Sequence, residues 1–357
     1  MIGILGHLKR IFMSAQTKRL IKKLINYSGI LFFILAAAML WWQLRDYSLT
    51  DIFRSIADIP LRHLAAACLA CLAGYLVLSL YDYLALNYVG GRVTWWKWML
   101  AGMLGFAISN NAGNAAISGG AIRYRLYTRW RIRGGDIFKM LTLSGLTYFL
   151  GVAAIVVVGY FLIPHDTVAQ SAGLSMGLGW LFGICLALIL TYFLVTIIFQ
   201  KKSIKIGNLL FQVPTPKTAT LQILLGITDS VLAGLVLYFC LTPFVSIPFG
   251  TFIGLFVIAQ ATGIFSQVPG GIGVFETIFL AALPDTVDKA SVFGALLAYR
   301  VIYYVLPLIG VGGLFFIYER WLRSKMKQWA AQAKQEITQI QQKIKNTAKK
   351  VRKTNKK

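Results

Sequence analysis

Acidic residues are scarce in this chain: 12 Asp and Glu stand against 36 Lys and Arg, leaving a net charge of +24 over 357 residues. Charged residues of either sign make up only 13%, too few to cover the surface of a soluble domain of this length. There are three histidines, His7, His63 and His165, scattered too widely to form a metal set. Cys68 and Cys71 form a CxxC, but inside an apolar run and without a second Cys/His pair nearby. They read as small apolar helix residues, as do Cys185 and Cys240, and neither a zinc site nor a disulfide framework is expected. No Gly-x-Ser-x-Gly elbow, Walker A loop or HExxH motif occurs. No catalytic residue, metal or cofactor is therefore expected, and ATP-driven work by this chain alone is not.

What the chain does have is long apolar stretches. Hydrophobic residues make up 57%, gathered into runs near twenty residues, enough to cross a hydrocarbon core about 30 Å thick. We read eight such segments, roughly Ser28–Leu44, Leu61–Val89, Trp95–Ile117, Ile137–Ile163, Ala172–Phe199, Ala219–Leu241, Phe249–Leu283 and Ser291–Ile317. The basic residues fall in the gaps between them, a placement that suits anionic lipid headgroups and topology control rather than nucleic acid. Residues 1–27 are basic and amphipathic, as expected for a helix lying at the membrane interface rather than a cleavable signal. Residues 28–317 form the membrane domain, and 318–357 a basic tail. Trp41, Trp42, Trp95, Trp96, Trp98 and Trp180 sit near segment ends as interfacial anchors.

Two segments are not clean spans. The third crowds Ser109, Asn110, Asn111, Asn114, Ser118, Gly119 and Gly120 at membrane depth. The seventh carries Ser266-Gln-Val-Pro-Gly-Gly-Ile-Gly-Val-Phe-Glu276, in which Pro269 removes a backbone donor and the glycines favour non-helical conformations. Irregular backbone in lipid survives only when buried in protein or facing water. Charge placement makes the same distinction. If all eight segments crossed, Arg123, Arg125, Arg129, Arg131 and Arg133 would lie outside, against the positive-inside tendency.

If segments three and seven enter and return, six helices cross and two re-entrant hairpins enter from opposite faces. Both termini, the Arg92/Lys97 loop, the five-arginine loop and the loop holding Lys201, Lys202, Lys205 and Lys217 then become cytoplasmic. Asp82 precedes the first hairpin as Asp229 precedes the second, which suggests an inverted repeat of the transporter kind. The expected fold class is thus an all-α integral membrane protein. Small-residue stretches such as Gly310-Val-Gly-Gly313 permit homo-oligomers.

An ionised side chain at a helix centre costs on the order of 2.5–3.5 kcal/mol on insertion scales, so Asp82, Asp229, Glu276 and Arg300 are the sharpest candidates for a substrate site. Two readings compete: a polar cavity between helices, or structural ion pairs such as Glu276 with Arg300. Ser118, Gly119 and Gly120, followed by Arg123 and Arg125, supply the elements of a phosphate cradle at a broken helix start. Ser266, Gly270 and Gly271 supply a second one. The same glycines would equally allow close helix packing.

These motifs resemble a known family. Ser118-Gly-Gly-Ala-Ile-Arg-Tyr-Arg-Leu-Tyr127, Ser266 to Glu276, Tyr299-Arg-Val-Ile-Tyr-Tyr-Val-Leu-Pro307 and, more weakly, Ser79-Leu-Tyr-Asp82 are similar to the membrane-embedded flippase region of lysylphosphatidylglycerol synthase/flippase, also called multiple peptide resistance factor. The resemblance runs from about segment two to segment eight. It implies a bacterial inner-membrane protein that moves a phospholipid, such as aminoacylated phosphatidylglycerol, between leaflets. In that family a separate soluble domain makes the lysyl lipid. With a basic tail ending at Lys357, synthase activity is not expected here.

The expected partner is a membrane phospholipid, with anionic headgroups at the basic loops. An intramembrane headgroup-modifying enzyme and a non-transporting scaffold for a lipid-synthesis partner are the alternatives. Cysteine-accessibility labelling is expected to place residues introduced at Ala121 and Ala282 on opposite faces of the membrane; the same face for both would end the two-hairpin topology.

Overall fold

A computed structural model describes residues 50, 54, 56–112, 115–162, 174–200, 202–207, 209–265, 273–283, 287–321, 324, 325 and 328. The basic N-terminal stretch, the first apolar segment, Ser266, Gly270, Gly271 and most of the tail lie outside these residues. The elements are α1 (Leu61–Tyr88), α2 (Trp95–Ala112), α3 (Ala115–Arg129), α4 (Gly134–Leu162), α5 (Leu174–Ile198), a two-stranded antiparallel ribbon of β1 (Ser203–Ile206) and β2 (Leu209–Gln212), α6 (Pro216–Leu241), α7 (Phe249–Phe265), α8 (Val274–Ala282) and α9 (Lys289–Arg300). A π turn, Val301–Val305, follows α9. The protein is an all-α membrane protein.

Five helical stretches are long and apolar enough to cross a bilayer among the described residues: Leu61–Tyr88, Gly134–Phe161, Gly179–Ile198, Pro216–Leu241 and Lys289–Trp321. The α2–α3 and α7–α8 pairs are not among them. The surface is inverted relative to a water-soluble protein. Large apolar side chains such as Leu72, Phe149, Ile184, Leu188 and Leu194 face outward, whereas Asp82, Asn111, Gln222, Asp229, Glu276 and Arg300 are buried. Lipid accepts the first group at no cost, while the second must find partners inside the protein.

The chain divides into two compact units, Met1–Val311 and Gly312–Lys357. In the second, residues 312–321 are helical and Tyr318 stacks on Trp321. In the first, α1 and α6 form the central pair, and α4 packs on both. The Tyr88 hydroxyl donates to the Gln212 carbonyl just before α6, Tyr81 reaches Asp229, and Gly74 lies against Leu232. Successive contacts thus run in opposite senses along the two chains, so α1 and α6 are antiparallel. Each is followed by a pair of short helices packed on one another, α2 on α3 and α7 on α8.

Local signals account for the helix starts. Thr215 caps α6, its hydroxyl accepting the Thr218 N–H at 3.2 Å, with Pro216 at the first helical position. Asp288 caps α9 by accepting the N–H groups of Ala290 and Ser291 and the Ser291 hydroxyl, which hold its carboxyl below the usual aspartate range. Gly273, at φ +78°, turns the chain into α8 in a conformation that a side chain would strain, and Glu276 accepts the Gly273 N–H at 2.8 Å.

The third apolar segment is two helices, α2 and α3, as its polar and glycine-rich sequence leads us to expect, but the structure differs from the sequence reading in two other places. The second arm, α3, extends to Arg129, so Arg123, Arg125 and Arg129 lie on a helix and only Arg131 and Arg133 of the five-arginine cluster lie in the connection to α4. Ala, Leu and Arg are good helix formers, and they carry the arm beyond the apolar boundary. The lysine-rich connection after α5 contains the β ribbon, which a hydropathy reading does not register.

Helices α4 and α6 cross closely, and an added Cβ at Gly151 or Gly226 would overlap the other residue's backbone. Gly151→Val or Gly226→Val is expected to lower stability by about 1–3 kcal/mol or more. Gly145→Ala, where a Cβ meets nothing within 4 Å, should not. Thermal unfolding in detergent distinguishes them.

Candidate functional site

Each broken-helix pair holds one buried ion pair. In the first, Arg123 of α3 donates through Nε to Asp82 of α1, at 2.9 Å to Oδ1 and 3.1 Å to Oδ2. The Tyr127 hydroxyl, one helical turn along α3, donates to Asp82 Oδ2 at 2.8 Å. The rest of the guanidinium reaches the Gly102 carbonyl of α2 at 3.3 Å and lies over the Phe106 ring, 4.3 Å from its centroid. Gly105 leaves the room this requires, because a Cβ there would strike the guanidinium. Three elements thus converge on one carboxylate, six residues before the end of α1, roughly 9 Å along its axis.

In the second pair, Arg300 of α9 donates through Nε to Glu276 Oε1 at 2.5 Å. The other oxygen of Glu276 caps α8, so one side chain both starts that helix and ties it to α9. Arg300 lies roughly 17 Å along the span that begins at Lys289, near the middle of a hydrocarbon core. The halves are not copies of each other. The carboxylate is on the long helix in the first and on the short arm in the second. Both pairs are less than a tenth exposed, and there the loss of hydration is repaid only by this kind of multiple hydrogen bonding.

A group of tyrosines packs around the end of α9 and the π turn. Tyr299 stacks on Phe275 and on Tyr303, and Tyr75 packs beside Tyr303. The π turn explains what holds them. Pro307 has no N–H, so neither the α-type bond to Tyr303 O nor the π-type bond to Ile302 O can form. Side chains from the other half supply the missing donors. Tyr75 donates to Tyr303 O at 3.1 Å and Cys71 to Ile302 O at 3.2 Å. Asn111, at the end of α2, donates to Tyr304 O at 3.1 Å, and Asn110 donates to the Tyr75 hydroxyl. The tip of the first hairpin therefore meets the helix that anchors the second.

Asp229 lies at the middle of α6, buried, with the Tyr81 hydroxyl 3.4 Å from Oδ2 and no partner on Oδ1. Ser118, Gly119 and Gly120 lie inside α3 rather than at its start. An added Cβ at Gly119 would overlap Ser109 Oγ and the Gly105 carbonyl, so Gly119 brings α3 against α2, while Gly120 faces Leu141 of α4. Arg125 is buried on the same helix.

Asp82 with Arg123, and Glu276 with Arg300, are thus brought together, while Asp229 stands apart from both. The hydropathy reading missed Tyr75, Tyr81, Tyr127, Asn110, Asn111 and Tyr303 as participants. The usable signal was Pro307, four residues after Tyr303 in a helix, which demands an outside donor.

A family model for the lysylphosphatidylglycerol synthase TM region matches residues 29–310. Protein slr0712 of Synechocystis sp. is 36% identical over 290 residues, 78% of this chain and 87% of that protein. The inner membrane protein YbhN of Escherichia coli is 28% identical over 298 residues, 82% of this chain and 90% of its own. The phosphatidylglycerol lysyltransferase of Staphylococcus xylosus is 26% identical over 315 residues, which cover 82% of this chain but 34% of that enzyme.

Removing one partner of a buried pair strands the other's charge. Asp82→Leu and Arg123→Leu are each expected to destabilise by about 3–5 kcal/mol, and the double variant by much less than their sum. A double-mutant cycle on thermal stability in detergent checks this; additive losses would show that the pair is not coupled.

Proposed function

The chain belongs to the lysylphosphatidylglycerol synthase TM region family, and from that premise we propose that it moves a phospholipid headgroup between the leaflets of a bacterial inner membrane. The observation that carries the reading is one buried carboxylate–arginine pair at each broken helix pair, Asp82–Arg123 and Glu276–Arg300. A headgroup phosphate competes with the carboxylate for the guanidinium, and charge-assisted hydrogen bonds of similar kind form in either state. A headgroup that also carries an amine gives the released carboxylate a counter-ion. Exchange of partners at one pair and then at the other gives the polar headgroup a path, while acyl chains stay in the bilayer.

In this reading Ser118, Gly119, Gly120 and Arg125 belong to the headgroup site around the first pair, and Ser266, Gly270 and Gly271, which lie outside the described residues, are assigned to the second on their sequence motif alone. Arg123 and Arg125 engage the lipid from the cytoplasmic side, and both termini are cytoplasmic. The relative named as a phosphatidylglycerol lysyltransferase points to phosphatidylglycerol or its aminoacylated form as the lipid to try first.

Reconstituted in liposomes, the protein is expected to speed transbilayer movement of labelled phosphatidylglycerol. Arg123→Gln and Arg300→Gln should each slow it roughly tenfold or more, the equivalent of one lost hydrogen bond to a charged group at about 1.5–3 kcal/mol. Rates equal to those of empty liposomes across several headgroups would refute the reading.

A further inference from the structure

Asp229 is a buried carboxylate that neither ion pair uses. It sits roughly 20 Å along α6, at the depth where an ion is most costly. Its contact with Tyr81, at 3.4 Å, is a long hydrogen bond, and Oδ1 has none. Arg123 and Arg300 are held by Asp82 and Glu276.

The titratable groups that face Asp229 are all tyrosines. Tyr75 and Tyr81 come from α1, Tyr148 from α4 and Tyr303 from the π turn. Within its described sequence α7 has no titratable residue, and contributes Gln260, which hydrogen-bonds Tyr148. From α9, Tyr299 is stacked on Tyr303 and Arg300 is paired. From α5, Tyr192 bonds Gln222, about two turns away from Asp229, and Cys185 is buried in the apolar stretch.

An ionised carboxylate with an empty acceptor oxygen is poorly solvated in this setting. A proton on Oδ1 removes the charge. A hard metal cation would instead require several oxygen ligands, and the described residues place one carboxylate there. The site is linked to the first ion pair through two rings: Tyr81, which touches Asp229, packs edge-on against Phe106, 5.4 Å between centroids, and Arg123 lies over that same ring. A change of partner at Arg123 therefore bears on the ring that positions Tyr81.

We propose that Asp229 is a proton-binding site whose loading and release couple lipid movement to a proton gradient. The proposal rests on the transport reading above and adds its driving force. The carboxylate takes one proton from water on one side of the membrane, forming an O–H bond, and gives that proton to water on the other. No other bond is made or broken, and nothing is oxidised or reduced.

The test uses the full chain in phosphatidylcholine vesicles that carry a minor fraction of fluorescently labelled phosphatidylglycerol and an enclosed pH dye. Lipid movement and lumenal pH are read with no gradient, with a pH gradient of either sign, and with a sodium gradient at clamped pH. A pH gradient of one sign should accelerate lipid movement and the opposite sign slow it, and an imposed lipid imbalance should shift lumenal pH. Asp229→Asn should lose both responses, whereas Asp229→Glu, which keeps the proton carrier, should retain them.

The wild-type responses stand as a test even if a variant fails to fold. Lipid movement that is identical in every arm with constant lumenal pH overturns this inference and leaves the transport reading standing, as does acceleration by sodium alone. No lipid movement in any wild-type arm overturns both.

Discussion

A charge placed inside a bilayer has to bring its own solvent, and the fold is organised around that demand. Asp82 receives hydrogen bonds from two residues of α3, and its arginine partner reaches on to a carbonyl of α2. Glu276 joins the start of α8 to Arg300 on the following helix. Each pair replaces lost hydration with fixed donors and acceptors, and in doing so fastens a short helix to a long one. Short helices could not be held by hydrophobic attraction alone, because lipid tails are as good a neighbour for leucine as another helix is.

The same requirement governs the backbone. A proline in a membrane helix leaves carbonyls without donors, and here Pro307 does so at Ile302 and Tyr303. The π turn and the side chains of Cys71 and Tyr75 fill those places, with Asn111 adding a bond to Tyr304. The defect in one half is thus satisfied by residues of the other. Broken helices at membrane depth, buried ion pairs and a group of tyrosine hydroxyls make a polar interior inside an apolar exterior, the arrangement a headgroup path needs.

Much of this was legible in the residues themselves. Runs near twenty apolar residues predicted the long helices, and the polar Asn110 and Asn111 marked the segment that divides into two helices, whereas Gly119 and Gly120 lie inside α3. Charge placement and backbone-breaking residues single out the same two segments. Glu276 with Arg300 was readable as a pair because both are charges at membrane depth in neighbouring segments. Asp82 with Arg123 was not, because they are separated by two connections and the whole of α2, and depth along the chain does not say which helices touch. Gly119 and Gly120 carried two equal readings, a cradle and a close contact. Only the position of α3 between α2 and α4 shows what surrounds them, Ser109 and Gly105 at Gly119 and Leu141 at Gly120.

Membrane class, the divided segments and the family were all readable from the residues alone, because insertion energies depend on local composition and family membership on short motifs. The tertiary structure alone decided partnership: which arginine holds which carboxylate, which hydroxyl serves which orphaned carbonyl, and that Asp229 is left with an open oxygen. Hydrogen bonds act over about 3 Å between residues that are far apart in the chain. Their pairing is therefore a property of how helices cross, and no reading of one segment at a time contains it.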